Sequence, residues 1–148
     1  MNQGLLFKNA ISAHLQNLVN NGILEKYYYD DLLLDANETK YSGDPYAILG
    51  LNSDLTMERD TTTSNLNTYT FWIMVRAKIA NLTQPTDVED LRDNVMTEFA
   101  QDTTYGLNNG WVDPPLCPAP PVTDQDKGQV VFLIKLVCHV ASDLSTIS

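Results

Sequence analysis

The chain has 148 residues, in which 9 Lys and Arg stand against 19 Asp and Glu, so its formal net charge is −10 at pH 7. A chain of this length can bury a full core without a disulfide or a metal, which makes one domain, residues 1–148, the expected organisation. The charge argues against a protein that grips nucleic acid, because duplex binding depends mainly on Lys and Arg that neutralise phosphates. Hydrophobic residues make up 43% and charged residues only 19%, which argues against intrinsic disorder.

The lack of recognisable targeting signals and the small number of cysteines predict a protein that stays inside the cell and has no membrane partner. No stretch approaches the roughly 18 consecutive apolar residues of a membrane span, and Met1 opens a polar segment without the basic flank and apolar run of a signal peptide. Cys117 and Cys138 are too few for a disulfide framework or a zinc site and suit a reducing compartment.

The first predicted element is an amphipathic helix over residues 5–20, closed by Gly22. Four apolar residues fall on one stripe at 100° per residue: Phe7, Ile11, Leu15 and Leu18. Residues 27–46 then predict a loop that carries one short extended segment and ends in a turn.

Strands are predicted next. Residues 46–51 suit a short strand, which residues 55–59 extend or follow. Residues 69–79 alternate, with Tyr69, Phe71, Ile73 and their successors on one face, so that this face belongs to a core.

A second helix is predicted to start at Thr86, because Thr86 and Glu89 have the spacing of a capping box. Its apolar stripe consists of Val88, Leu91, Val95 and Phe99.

Five of the seven prolines fall within residues 114–121. Proline lacks an amide donor and fixes φ, so we expect an extended, Pro-rich excursion over about residues 111–128. The last strand, residues 129–141, is apolar on both faces and should lie centrally in a covered sheet or against another subunit. The predicted fold is α+β, a mostly antiparallel sheet of about four strands with two main helices packed on one face, plus a long Pro-rich loop.

The chain lacks the local motifs of common enzyme classes, and we predict no catalytic residue, no cofactor and no metal site. Cys138 and His139 are neighbours on a strand and point to opposite faces, so they cannot act as a catalytic pair, and Cys138 is expected to be a buried structural residue. His14 lies on the apolar stripe of the first helix, where a satisfied core or interface histidine is favoured over a ligand or base.

Two groups of residues are candidates for contacts. Arg92 lies inside the stripe of the second helix, either over the core edge or against a carboxylate of another subunit. Trp111 stands beside the Pro-rich loop, where an aromatic adds contact area at low entropic cost. The candidate interface comprises Arg92, Trp111, Pro114, Pro115, Leu116 and Pro118. Glu58 and Asp60 are either a solvated acidic surface or the lining of a channel.

The layout resembles bacteriophage tail-terminator (tail-completion, minor tail) proteins. The resemblance rests on the first helix closing at Gly22, on residues 55–59 leading into the strand of residues 70–76, on the capped helix of residues 87–95, and on the closing strand of residues 129–134. It implies a small α+β subunit that forms a ring, commonly hexameric, at the head-proximal end of the tail, in the virion, after assembly in the host cytoplasm. Such a ring ends tube and sheath polymerisation, contacts tail tube or sheath protein and a neck or connector protein, and lets DNA pass without specific binding. Glu58 and Asp60 are then candidates for an acidic lumen that repels the DNA backbone.

Three alternatives stay open. A head-tail adaptor or neck protein is the nearest. A binding module or assembly chaperone, monomeric or dimeric, would use the Pro-rich loop for recognition. An enzyme with a dispersed, metal-assisted site would use acids such as Asp30, Asp31 and Asp35.

Overall fold

The computed structural model describes residues 3–30, 41–50, 54–61, 64–84 and 86–143. In chain order the elements are α1 (Gln3–Asn20), β1 (Lys26–Asp30), β2 (Tyr46–Gly50), β3 (Asp54–Thr61), β4 (Ser64–Lys78), a short 3-10 helix (Ile79–Asn81), α2 (Asp87–Ala100), β5 (Gly110–Val112), β6 (Val122–Asp124) and β7 (Gln129–Asp143). The fold is α+β, as predicted.

The prediction of about four strands is wrong, because the described residues form one mixed sheet of seven strands. Its path is β1-β2-β4-β7-β5; β3 pairs with β4, and β6 pairs with β7. β1 runs parallel to β2, and the other pairs are antiparallel. β5 and β6 have three residues each and are too short to show a clear alternation, which is why the sequence pattern missed them.

β4 and β7 are the long central pair of the sheet. They pair from Ser64 opposite Asp143 to Lys78 opposite Gln129, with Phe71 opposite Leu136 and Ile73 opposite Ile134. The alternation predicted for residues 69–79 is confirmed, although β4 starts earlier, at Ser64. β2 and β3 pair with successive stretches of the same edge of β4.

Both helices pack on one face of the sheet and build the core there. The four stripe residues of α1 are fully buried, and Val95 and Phe99 of α2 join the same cluster. The sheet contributes alternate residues of its long strands to that cluster: Phe71, Ile73, Val75 and Ala77 from β4, and Phe132, Ile134, Leu136, Cys138 and Val140 from β7. The core therefore lies between the helices and the β4–β7 pair. The opposite side of the sheet, which we call the outer face, carries the intervening residues.

The C-terminal end of α1 agrees with the prediction from the sequence, whereas the N-terminal end of α2 lacks the predicted cap. Gly22 has φ 77°, and the amide of Ile23 donates to the carbonyl of Leu18 at 2.9 Å, which closes α1 as predicted. α2 begins directly after Thr86, but the Thr86 hydroxyl makes no capping bond. The backbone at Thr86 is helical (φ −93°, ψ −1°), whereas a capping hydroxyl needs the extended conformation.

The predicted Pro-rich excursion is wrong for residues 110–124, which lie along the free edge of β7. β5 pairs with Val140 to Cys138, Leu116 forms an isolated bridge with Lys135, and β6 pairs with residues 131 to 129. The chain between these contacts holds more residues than the matching stretch of β7, so the prolines interrupt the pairing without lifting the segment away. Prolines are tolerated here because an edge strand needs its donors on one side only.

The region predicted as a loop with one short extended segment, residues 27–46, contains most of β1, and residues 31–40 lie outside the described residues.

Candidate assembly surface

The outer face of the sheet carries exposed apolar side chains along the β7 edge. Trp111, Leu116 and Val122 are 44%, 50% and 62% exposed, and Leu133 of β7 is 38% exposed. The register sets Trp111 opposite His139, Leu116 opposite Lys135 and Val122 opposite Val131, and directly opposite residues share a face. These four side chains are called the apolar row. Of the nine large hydrophobic side chains that are exposed in the described part of the chain, four belong to this row.

The candidate interface residues divide between two places. Trp111 and Leu116 belong to the apolar row, Pro114 and Pro118 are exposed on the same edge, and Pro115 is buried beneath it. Arg92 lies on α2, on the helix side of the sheet, with its Nε 3.3 Å from Oδ1 of Asp93. The fold therefore brings the residues of the Pro-rich segment together and leaves Arg92 on the other side of the sheet.

A line of hydrogen bonds crosses the outer face next to Trp111. His139 Nε2 lies 2.9 Å from Asp113 Oδ2, and His139 Nδ1 lies 2.9 Å from the Thr68 hydroxyl. The Trp111 and His139 rings are stacked, with 5.0 Å between centroids and 22° between planes. Sequence reasoning missed Thr68 and Asp113, because nothing local relates them to His139. The alternation of β7 did place His139 opposite in direction to Cys138.

The charges nearly balance on the part of the outer face formed by β4, β7 and residues 110–124, in contrast to the chain as a whole. Among the described side chains of β4, β7 and residues 110–124, this face carries three cations and two carboxylates: Arg76, Lys78, Lys135, Asp113 and Asp124. Lys135 Nζ sits over the Trp72 ring, 5.7 Å from its centroid. Arg76 is buried and donates to Asp124 Oδ2 at 3.2 Å and to Gln129 Oε1 at 3.0 Å. α2, on the helix side, carries five carboxylates against Arg92.

A second exposed apolar pair lies at the opposite edge of the sheet. Leu55 and Met57 of β3 are 49% and 58% exposed, and they share the helix side of the sheet with their partners Tyr69 and Asn67. Glu58 is exposed on the other side of the strand. Asp60, the other candidate lumen residue, is part of β3, and its side chain is outside the described set.

The two histidines are both satisfied, and neither adjoins the Cys138 thiol as a base. His14 Nδ1 lies 2.8 Å from Glu98 Oε2, and its Nε2 lies 3.1 Å from Asp102 Oδ2, which joins α1 to α2 and the turn after it. Cys138 is fully buried, as predicted, and burial, assisted by the charge of Asp113, raises the pKa of its thiol to about 12. At neutral pH this thiol is protonated and a poor nucleophile.

Asp102 is held in its charged form. Partial burial raises its pKa, but hydrogen bonds from His14 and from the amides of Tyr105 and Thr104 outweigh that effect and leave the pKa below its ordinary value. Burial also raises the pKa of the neighbouring Tyr105 hydroxyl well above its ordinary value, so this phenol stays protonated.

In the described ranges no three His, Cys, Asp or Glu side chains are grouped as ligands of a metal ion would be. The helices of the described ranges are all too short or too polar to cross a membrane. Of the acids considered for a dispersed site, Asp31 and Asp35 lie outside the described residues, and Asp30 ends β1.

No protein-family model matches this sequence, and comparison with characterised proteins finds no significant similarity. The function of the apolar row therefore has to be argued from its own residues and geometry.

Proposed function

We propose that this chain is the subunit of a homo-oligomeric ring, with six copies as the expected number, at the head-proximal end of a phage tail. In this proposal the ring ends polymerisation of the tail tube or sheath, joins the tail to a neck or connector protein and lets DNA pass through its bore. The layout of the sequence, which resembles tail-terminator proteins, supplies the phage context, and the α+β fold with two helices on one face agrees with it.

One observation carries the self-assembly: the chain exposes two apolar surfaces that face in opposite directions. The apolar row lies on the outer face at the β7 edge, and Leu55 and Met57 lie on the helix side at the β3 edge. Two copies related by a two-fold axis would cover one surface twice and leave the other exposed. A head-to-tail contact covers both surfaces at once, and repeated head-to-tail contacts close into a ring when the rotation permits.

Charge sets a condition on this contact. Each copy carries a net charge of −10, so two copies repel unless the contact itself is favourable. On β3, Glu58 points away from Leu55 and Met57, so the contact joins apolar surface to apolar surface and leaves this carboxylate outside it.

This contact also gives the acids of β3 a role. With Leu55 and Met57 against the neighbour, Glu58 points to the other side of the strand, which we assign to the bore. A ring of carboxylates there repels the phosphates of passing DNA. The Glu58→Lys variant should convert a ring that ignores DNA into one that retains it in a filter-binding assay at low salt; an unchanged result would place Glu58 away from the bore.

Mixing two variants tests the head-to-tail contact. Leu116→Glu places a charge in the apolar row, and Met57→Glu places a charge in the apolar pair of β3. We expect the unaltered chain to form rings by sedimentation velocity and negative-stain microscopy, each variant alone to stay monomeric, and an equimolar mixture to form one-to-one pairs through the intact surfaces. Leu133→Lys is a second variant of the row, in case Leu116→Glu misfolds. An unaltered chain that stays monomeric at its highest soluble concentration, or a Met57→Glu variant that still forms rings, would overturn the proposal.

The phage assignment has its own test. Purified rings added to a tail tube protein that is polymerising in vitro should bind one tube end and shorten the tubes, whereas Leu116→Glu monomers should not. Tubes of unchanged length would leave a self-assembling protein with a different role.

A further inference from the structure

We propose that His139 is a positioning residue for assembly, which fixes Trp111 in the orientation that a second copy of the chain contacts. This inference rests on the proposed function, because it takes the neighbouring copy in the ring as the occupant of the apolar row. Its structural basis is the hydrogen-bond line of Thr68, His139 and Asp113 beneath the Trp111 ring.

Chemistry fixes the direction of each hydrogen bond in this line. A carboxylate only accepts, so Nε2 of His139 carries a hydrogen and donates it to Asp113. In the neutral ring Nδ1 is then an acceptor, and the Thr68 hydroxyl donates to it. Both ring nitrogens are satisfied in a single tautomer. A ring flipped by half a turn would set carbon atoms against both partners, so the two hydrogen bonds hold the imidazole in one orientation.

The line connects three neighbouring parts of the sheet. Thr68 belongs to β4 and His139 to β7, while Asp113 follows β5 directly. The amide of Asp113 also donates to the carbonyl of Val137 at 3.0 Å. Asp113 therefore ties the edge segment to β7 both by its backbone and by its side chain. In the sequence, Trp111 comes before this anchor and the prolines follow it.

The backbone just before Trp111 is equally close to β7. A Cβ atom built on Gly110 would lie 3.2 Å from the carbonyl oxygen of His139 and 2.9 Å from the Cβ of Leu107, so only glycine leaves room for this approach. The backbone that leads into Trp111 is therefore in close contact with β7.

Trp111 has one ring face occupied and remains accessible. Its ring stacks on the fixed imidazole, yet 44% of its surface is exposed. A large aromatic side chain that is already ordered loses less entropy on binding than a free one, and such side chains commonly dominate interfaces. Holding Trp111 in place before contact therefore increases the affinity of one copy of the chain for the next. This is the role that we assign to His139.

The experiment uses the chain with Trp72→Phe, because Trp72 and Trp111 are the two tryptophans of the sequence. Fluorescence anisotropy and near-UV circular dichroism of dilute monomers then report on Trp111 alone, and sedimentation gives the dissociation constant of assembly. His139→Gln keeps a donor for Asp113 and loses the ring; Thr68→Val keeps the shape and loses the hydroxyl. Thr70→Val, on the same face of the same strand, is the matched control.

We expect His139→Gln and Thr68→Val to increase the mobility of Trp111 in the monomer and to weaken assembly about threefold to tenfold, the range that immobilising one side chain allows. Thr70→Val should change neither quantity. Thermal unfolding of each variant separates these effects from misfolding, and Thr68→Val carries the test if His139→Gln does not fold.

The two proposals fail differently. If Trp111→Ala prevents assembly while His139→Gln and Thr68→Val leave both the anisotropy and the dissociation constant unchanged, His139 has no positioning role and the surface stands. If Trp111→Ala assembles like the unaltered chain, the apolar row is not the contact, and the role of His139 in assembly falls with it.

Discussion

The ring of Phe7 packs edge-on against the ring of Phe71, with 6.4 Å between centroids and 61° between planes. Both side chains are fully buried, and they join α1 to the middle of β4. The helix layer and the sheet therefore meet at an aromatic pair, an arrangement that adds stability beyond the area it buries.

Truncating Phe71 should be costly for this reason. We expect Phe71→Ala to lower the free energy of unfolding by about 3–5 kcal/mol, because the lost contacts leave a cavity that the sheet cannot close. This free energy can be measured by urea denaturation followed by circular dichroism, at a concentration where the chain is monomeric. Ile79→Ala is the control, since Ile79 is 39% exposed, and it should cost about 0.5 kcal/mol or less. A cost below about 1 kcal/mol for Phe71→Ala would contradict the packing described.

The ion pair between Arg76 and Asp124 should be asymmetric in its response to mutation. The Arg76 side chain is 8% exposed and that of Asp124 is 26% exposed. Asp124→Ala leaves a charged guanidinium in a dry site and should lower the free energy of unfolding by about 1–3 kcal/mol. Arg76→Met removes the buried charge, fills similar volume and leaves a carboxylate that water can reach, so it should cost less. Urea denaturation of the two variants measures their free energies of unfolding. A larger decrease for Arg76→Met than for Asp124→Ala would contradict the predicted asymmetry.

Stability in acid should depend on Asp102. Its pKa in the folded chain lies below the ordinary value of 3.8, so its charge stabilises the fold at pH values above that value. This contribution is lost as the pH falls through the lower, folded pKa. Asp102→Asn keeps an acceptor for the amides of Thr104 and Tyr105 and removes the titration. The variant should be less stable at pH 7, by less than about 1 kcal/mol since the side chain is 32% exposed, and the two chains should converge in strong acid. Unfolding free energies measured from pH 2 to pH 7 test this, and parallel curves for the two chains would refute it.

Two glycines should respond to substitution for different reasons. Gly110→Ala forces a Cβ against Leu107 and the His139 carbonyl and should lower the free energy of unfolding by about 1–3 kcal/mol. Gly128 has φ 61° and open space around its Cβ position. Asn adopts that conformation readily, so Gly128→Asn should cost less than Gly110→Ala. Thermal denaturation of both variants compares them, and the reverse order would show that space at Gly110 is not limiting.

The sequence predicted those elements whose own residues carry a long periodic pattern. The stripe of α1 and its Gly22 closure, the alternation in β4, the second helix and the two-sided apolar strand β7 all appear where the pattern indicates. Each follows from local chemistry, because side-chain direction in a helix or strand repeats along the chain itself. Burial of Cys138 and the opposite direction of His139 follow from the same alternation.

Residues without such a pattern had to be settled by pairing partners far away in sequence. β1 is a strand because β2 accepts it in parallel, and residues 110–124 follow the edge of β7 although their prolines suggest an excursion. The predicted capping box at Thr86 does not form, because the backbone at Thr86 is helical rather than extended.

The candidate site was visible in the sequence only in part. Trp111 and Leu116 stood out as an aromatic and a leucine among prolines, and the acidic balance was plain from the composition. That His139 lies under Trp111 and between Thr68 and Asp113 depends on the register of three strands, since Thr68 and His139 are 71 positions apart. The sequence by itself determined which residues are apolar, rigid or charged. Only the tertiary structure decided which of them share a surface, because strand register joins side chains that no local pattern connects.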